Sequence, residues 1–187
     1  MFRRLAPLTL LAAAVLGACS SGSDDPDDSG PAVVDADEGI EGVLAIRIPS
    51  ATHVEGEVEY DRTPPAGGDH NPAPARCGFY DEAIPPEFIV HSMEHGAVWL
   101  AYAPDLDEAS VTLIHDLVRD NPETIATVHP DLEPGVAVVA SAWARQLSLT
   151  AADDPRLAEF VEQYQDGDQA PEASVDCAGQ GVGVPLP

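Results

Sequence analysis

The sequence predicts an α+β fold: a single small domain with a mostly antiparallel sheet, two main helices and a long Pro/Gly-rich loop. Three observations lead there. Short apolar runs of strand length recur at residues 43–46, 54–60, 97–102, 124–128 and 135–143. Two segments, 106–117 and 154–164, instead carry apolar residues at helical spacing. The two kinds of segment do not alternate in a regular βαβ rhythm, and no internal repeat is present.

The elements follow in chain order from about Ile40. Val43-Leu44-Ala45-Ile46 reads as a strand. In HVEGEVEY, Val54, Val58 and Tyr60 alternate with Glu55, Glu57 and Glu59, the pattern of a half-buried strand with one acidic face. Residues 62–86 are rich in Pro and Gly, and a loop of that length in a compact domain is functional or tied down. Residues 88–102 form an apolar run in which 97–102 read as a buried strand, while the spacing leaves helix and strand both open for 90–96. Leu106, Ser110, Leu113, Ile114 and Leu117 mark a helix that Asn121-Pro122 ends. Thr124 to Val128 and Gly135 to Trp143 read as strands. Asp154 is an N-cap with Pro155 at the first helical position, followed by Leu157, Phe160, Val161 and Tyr164 on one face. From Gly167 onward the chain reads as irregular wrapping.

Before the domain lies a different kind of sequence. Arg3 and Arg4 precede an apolar stretch from Leu5 to Leu16, too short to span a bilayer as a helix of about 20 residues. The following Leu16-Gly17-Ala18-Cys19 resembles the lipobox of bacterial lipoproteins. That resemblance implies a signal peptide over residues 1–18 and acylation of Cys19. Acyl chains there would anchor the protein to the extracytoplasmic face of the cell membrane, each buried methylene contributing about 0.8 kcal/mol. Residues 19–39 then read as lipid anchor and acidic disordered tether, with seven acids and no base. Residues 40–187 form the domain.

The chain has 187 residues with 33 acids against 8 basic residues, a net charge of −25. All eight basic residues are Arg. Residues 40–187 alone hold 26 acids and 6 Arg, so the acidity is not confined to the tether. Such a surface repels phosphate backbones and excludes sequence-independent nucleic-acid binding. The membrane, reached through Cys19, is the partner the sequence names; it names no protein partner.

Cys77 and Cys177 are an even pair in an oxidising compartment, which reads as a disulfide. It would close a loop of about 100 residues and stabilise by roughly 4.7 kcal/mol in the chain-entropy model. The competing assignment makes Cys77 a thiolate metal ligand, with His70 seven residues upstream.

Six histidines carry the chemical expectation: His53, His70, His91, His95, His115 and His129. His91 and His95 share a face on a helix, and also on a strand. Apolar flanks place them near the core, where imidazoles need hydrogen-bond partners or a metal. His115 and His129 read as surface or structural residues. The string His91-Ser92-Met93-Glu94-His95 also spells H-x-x-E-H, the pattern of inverzincin metalloproteases, but Gly96 interrupts the long helix those enzymes need. No GxSxG elbow, P-loop or GxGxxG is present.

The order Tyr60, Pro64-Pro65-Ala66-Gly67-Gly68-Asp69-His70, Cys77-Gly78-Phe79-Tyr80, Val90-His91-Ser92-Met93-Glu94-His95-Gly96 resembles the bacterial domain-of-unknown-function 3105 family. Its pattern is a Tyr, a PPxSGxH segment, a G-Y pair and a VHxLEHG segment before an apolar strand. Gly67 here replaces the Ser, and Met93 stands where Leu is common. The resemblance covers residues 53–146, with an echo at Ala170-Pro171-Glu172, and implies no established reaction. His70, His91 and His95 all match motif positions, which implies one shared site for copper or zinc. Met93 adds a soft thioether that favours copper, although the family's Leu argues against an essential ligand. Glu94 and His53 are expected in supporting roles around the ligands. The leading expectation is therefore a metal-binding lipoprotein that is not an enzyme. The alternatives are a non-metal envelope structural or interaction lipoprotein, and a small metal-dependent hydrolase.

Overall fold

The computed structural model describes residues 33–35, 39–173, 177 and 181–187. The expected signal peptide, Cys19 and most of the tether lie outside the described residues. Within them the chain is α+β, with a seven-stranded sheet in the order β1-β2-β7-β6-β4-β5-β3. The strands are β1 (Val33–Asp35), β2 (Leu44–Ile46), β3 (Gly78–Phe79), β4 (Val98–Tyr102), β5 (Thr124–Val128), β6 (Val138–Ala142) and β7 (Arg145–Leu149). Three helices accompany them: α1 (Pro86–Glu94), α2 (Glu108–Asp120) and α3 (Pro155–Tyr164). Four of the six strand pairings are antiparallel; β5 pairs in parallel with both β3 and β4.

The central strand β4 explains the layering. All five of its residues are buried, so both of its faces are covered. Val98, Leu100 and Tyr102 join one apolar cluster with Ile114 and Val118 of α2 and with Leu157, Phe160 and Val161 of α3. Trp99 and Ala101 point the other way and join Ile89, Val90 and Met93 of α1. The sheet therefore has α2 and α3 on one face, and α1 with the long loop on the other. The period of two along a single strand sorts its side chains between the two cores.

The two anticipated helices are present, α3 with its anticipated Asp154 cap and α2 with a cap, Asp107, that the sequence reading did not name. Asp107 accepts from the Ser110 N–H at 2.9 Å, and Asp154 accepts from the Arg156 N–H at 3.0 Å. Helix α1 is a third, and it resolves the open segment: residues 90–94 are helical and His95 is the C-cap. Gly96, at φ 106°, ends it. Its N–H donates to the Met93 carbonyl at 3.1 Å, and the Ala97 N–H donates to the Ser92 carbonyl at 2.9 Å. This is a Schellman termination, which needs a residue free of Cβ strain at that position. A Cβ there would also lie 2.8 Å from Asp166 Oδ1.

Residues 54–60 correct the sequence reading, because they are not a strand. Gly56 at φ 101° breaks the extension. The Val58 N–H is spent on Glu87 Oε1 at 2.8 Å rather than on a neighbouring strand. The alternation marks a segment lying over α1, and only His53 makes a bridge, to His70. Strands β3 and β7 were not foreseen. β7 was hidden because its turn from β6 lacks the usual Asn-Gly signal: Ala142 pairs with Arg145 across Trp143-Ala144. Strand β1 falls inside the segment expected as tether and pairs with β2. The described residues of the C-terminal segment are irregular as expected, held by bridges from Val182 to Ala75 and from Leu186 to Phe79.

Ala144 occupies the left-handed region at φ 60°. That conformation costs an L-residue about 1–2 kcal/mol, and glycine's greater freedom in the unfolded chain offsets about 0.5–1 kcal/mol of the relief. Ala144→Gly is expected to raise stability by roughly 0.5–1 kcal/mol. Urea unfolding checks this, and an unchanged or lower midpoint contradicts it.

Candidate metal centre

The site forms where the long loop crosses the C-terminal half of α1. Backbone pairing sets the first contact: the His70 N–H donates to the Thr52 carbonyl at 3.0 Å, and the Val54 N–H donates to the His70 carbonyl at 2.8 Å. His53 and His70 are thereby brought side by side. Asp69 holds the approaching segment, accepting from the Ser50 hydroxyl at 2.5 Å and the Thr52 N–H at 2.8 Å. These bonds, the Ser50 hydroxyl foremost, keep the Asp69 carboxyl below its ordinary range. The loop is then pinned along α1. The Asn71 N–H donates to the Glu87 carbonyl, the Ala75 N–H to the Phe88 carbonyl, and the fully buried Ser92 hydroxyl to the Ala75 carbonyl at 2.8 Å.

His70 is wholly buried and His91 is 5 % exposed. Each satisfies one ring nitrogen with a backbone carbonyl. His70 Nδ1 donates to Gly68 at 2.8 Å, and His91 Nδ1 donates to Asn71 at 2.7 Å. Gly68 stands at φ 128°, and a Cβ there would meet the Tyr60 ring at 3.3 Å. With the ring protons so assigned, both Nε2 atoms carry lone pairs. The helix places His91, Glu94 and His95 on one face by i, i+3, i+4 spacing.

These groups converge. One nitrogen from each of His53, His70 and His91 lies within 4.8 Å of the others, and ligand atoms of His91, Glu94 and His95 do the same. The His53 and His91 rings stack at 4.9 Å, and His91 meets His95 edge-on at 4.5 Å. Glu94 links the two groups, with Oε2 3.0 Å from His70 Nε2 and 3.8 Å from His53 Nε2. The contact with His70 has ion-pair length but not hydrogen-bond geometry, so Nε2 has no hydrogen-bond partner among the described residues. A lone pair facing a carboxylate at this distance repels unless a cation lies between them, either a proton or a metal ion. Four imidazoles and a carboxylate therefore form one cluster that could hold a metal ion. His53, with a side chain 52 % exposed, is its open side.

The expected residues divide as follows. His70, His91 and His95 are brought together. His53 and Glu94, expected in support, stand as close to the centre as those three. Met93 is fully buried with Ile89 and Tyr80 in the apolar cluster, two residues from His91 and thus away from the histidine face. His95 Nε2 faces Glu172 at 3.4 Å, so the Ala170-Pro171-Glu172 segment lies beside the cluster. His115 meets Phe79 edge-on and His129 lies near Trp99; neither joins the cluster. Cys77 and Cys177 form a disulfide with Cα atoms 5.3 Å apart, across 100 residues. That pairing favours the first of the two assignments for Cys77. Tyr60, singled out only as the start of the motif, donates its hydroxyl to the Asp69 carbonyl at 2.8 Å. Burial, with the charges of Glu87 and Asp69, pushes its phenol well above the usual range.

Burial is the main reason that the His91 imidazolium is disfavoured, and the charges of His95, His70 and His53 add to it. Its folded-state pKa lies below the unfolded value of about 6.5, so the unfolded chain binds more protons between the two. In chelator, stability is expected to fall as pH drops from about 6.5 through the folded value, and to level off below it. His91→Gln should flatten that slope in chemical-denaturation curves taken across the range. An equal slope in both proteins refutes the assignment.

A comparison with protein families matches residues 53–179 to the family described as protein of unknown function (DUF3105). That span holds every member of the histidine cluster. No curated protein and no solved structure gives a significant match. By its family match over residues 53–179 and its histidine motifs, this chain belongs to the DUF3105 family.

Proposed function

We propose that this protein is an extracytoplasmic lipoprotein that binds copper or zinc through His53, His70 and His91, with Glu94 completing or orienting the set. One observation carries the reading. Two buried imidazoles, His70 and His91, spend their Nδ1 protons on backbone carbonyls, one ring nitrogen of each lies within 4.8 Å of a nitrogen of His53, and Glu94 Oε2 lies 3.0 Å from His70 Nε2. Imidazoles tied by their far nitrogen are held in one tautomer and one orientation, as metal-bound histidines are. Nitrogen ligands at about 2.0 Å from a tetrahedral ion sit about 3.3 Å apart, so separations within 4.8 Å need only small side-chain movements. A nitrogen-rich set with one oxygen suits copper or zinc rather than calcium or magnesium. The acidic surface supports the reading by raising the local concentration of cations. The lipoprotein half rests on Leu16-Gly17-Ala18-Cys19 after an apolar stretch. The reading assigns no reaction.

Metal content of untagged protein is expected to be one copper or zinc ion per chain. In competition titrations, His70→Ala and His91→Ala should each lose at least about 100-fold in affinity. Met93→Leu should change it by less than about threefold, because that side chain packs in the apolar core. Metal no higher than in a control preparation, with equal affinity in wild type and His70→Ala, would leave the cluster a purely structural one. Separately, labelling with a fatty-acid precursor should be lost in Cys19→Ala, and persistence of label and of membrane association contradicts the anchor.

A further inference from the structure

A cavity of about 490 Å³ lies apart from the histidine cluster, over the α1 side of strands β4 and β5. Its walls include Tyr60, Pro65, Ile84, Pro85 and Trp99, which are apolar or aromatic, and Arg62, Thr127 and His129, which carry donors. The size and the mix of an apolar wall with few polar groups are those of a small-molecule site.

Arg62 is the informative residue. The chain carries 33 acids, yet no carboxylate among the described residues forms an ion pair with this guanidinium. One of its N–H groups donates to Gln146 Oε1, and its buried Nε has no partner. Burial alone shifts it, lowering its pKa without any offsetting carboxylate. The acceptor opposite is an amide, and its geometry is fixed: Gln146 Nε2 donates to the Pro64 carbonyl and to Ser141 Oγ, each at 2.9 Å. A Glu at that place would have neutralised the cation, whereas Gln orients Arg62 and leaves its charge uncompensated. Two further donors border the same space. Thr127 Oγ1 accepts from the Trp99 indole at 2.9 Å, so its own hydroxyl proton is left to give. His129 Nδ1 accepts from the Asp131 N–H at 3.3 Å, which leaves Nε2 protonated in the neutral ring. Asp131 also borders the cavity and is exposed.

We propose that this cavity binds a small organic anion, its acid group paired with Arg62 and its apolar body packed against Tyr60 and Ile84. A half-buried cation that no carboxylate pairs is costly until an anion meets it. A planar guanidinium suits the two oxygens of a carboxylate, sulfonate or phosphate. The apolar wall selects for a hydrocarbon or aromatic portion, so a bare inorganic anion would use only part of the site.

The test uses 1-anilinonaphthalene-8-sulfonate and its uncharged counterpart N-phenyl-1-naphthylamine. The protein is the full chain carrying Cys19→Ala, so that no acyl group takes up dye. Quenching of tryptophan fluorescence should saturate at one sulfonate per chain, at least tenfold tighter than the neutral probe. Arg62→Met should remove that preference by weakening the sulfonate at least tenfold while leaving the neutral probe unchanged. Equal affinity for the two probes overturns the proposal, as does sulfonate binding that Arg62→Met does not alter, or no saturable binding. The two-probe comparison on the chain with Arg62 intact decides the matter even if Arg62→Met does not fold.

Discussion

A fully buried imidazole must account for both of its ring nitrogens, and much of this molecule is arranged around doing so for His70. One nitrogen is met by the Gly68 carbonyl at 2.8 Å, which requires the chain to turn through a positive φ at Gly68. The other is left facing Glu94 without a hydrogen bond. Leaving a buried polar atom unmet costs about 1–3 kcal/mol. The loop that carries His70 is kept in place by many backbone and side-chain bonds to α1, among them the buried Ser92 hydroxyl. A cation at the centre would resolve the unmet nitrogen and the facing carboxylate together. Among the described residues, the fold thus spends its ordering on a position where an imidazole and a carboxylate meet without a hydrogen bond.

The sheet supplies the rigidity that this arrangement needs. β4 is buried on both faces and feeds one core on each. Helix α1 leans on one of those cores through Ile89, Val90 and Met93, and this fixes the opposite helix face, with His91, Glu94 and His95, against the loop. The Schellman termination at Gly96 joins the end of that helix directly to β4, so little slack separates the site from the sheet. The disulfide from Cys77 to Cys177 and the bridge from Ala75 to Val182 fasten the C-terminal segment over the same loop. Glu172 is brought beside His95 by that segment.

Charge is distributed with a purpose that the net value hides. The acids lie mainly on the exposed surface, where solvation makes them cheap. Among the described residues the buried acids are Glu87 and Glu94, and each has an assignment: Glu87 holds the Val58 N–H, and Glu94 sits among the imidazoles. The scarce cations are equally informative. Arg156 pairs with its own cap residue Asp154, whereas Arg62 is matched with an amide.

Several features were determined by the sequence alone, because local physics decides them. Helix α2 declares itself through apolar spacing, α3 through its Asp154 cap and apolar spacing, and β4 and β5 through short buried runs. The end of α1 is written in Gly96. The family motif pointed to His70, His91 and His95 as one group. Tertiary structure decided the rest. Residues 54–60 alternate like a strand, yet their partners are a histidine backbone and a glutamate side chain, and no periodicity encodes that. β7 pairs through a turn whose left-handed residue is an Ala, so the usual signal is missing. His53 was placed at the centre by a backbone bridge to a residue 17 positions away in sequence. Met93 was turned from the centre by the helix phase, once the helix itself was decided. Spacing can show which residues share a face; which face meets which loop depends on long-range packing, and only the folded chain contains that information.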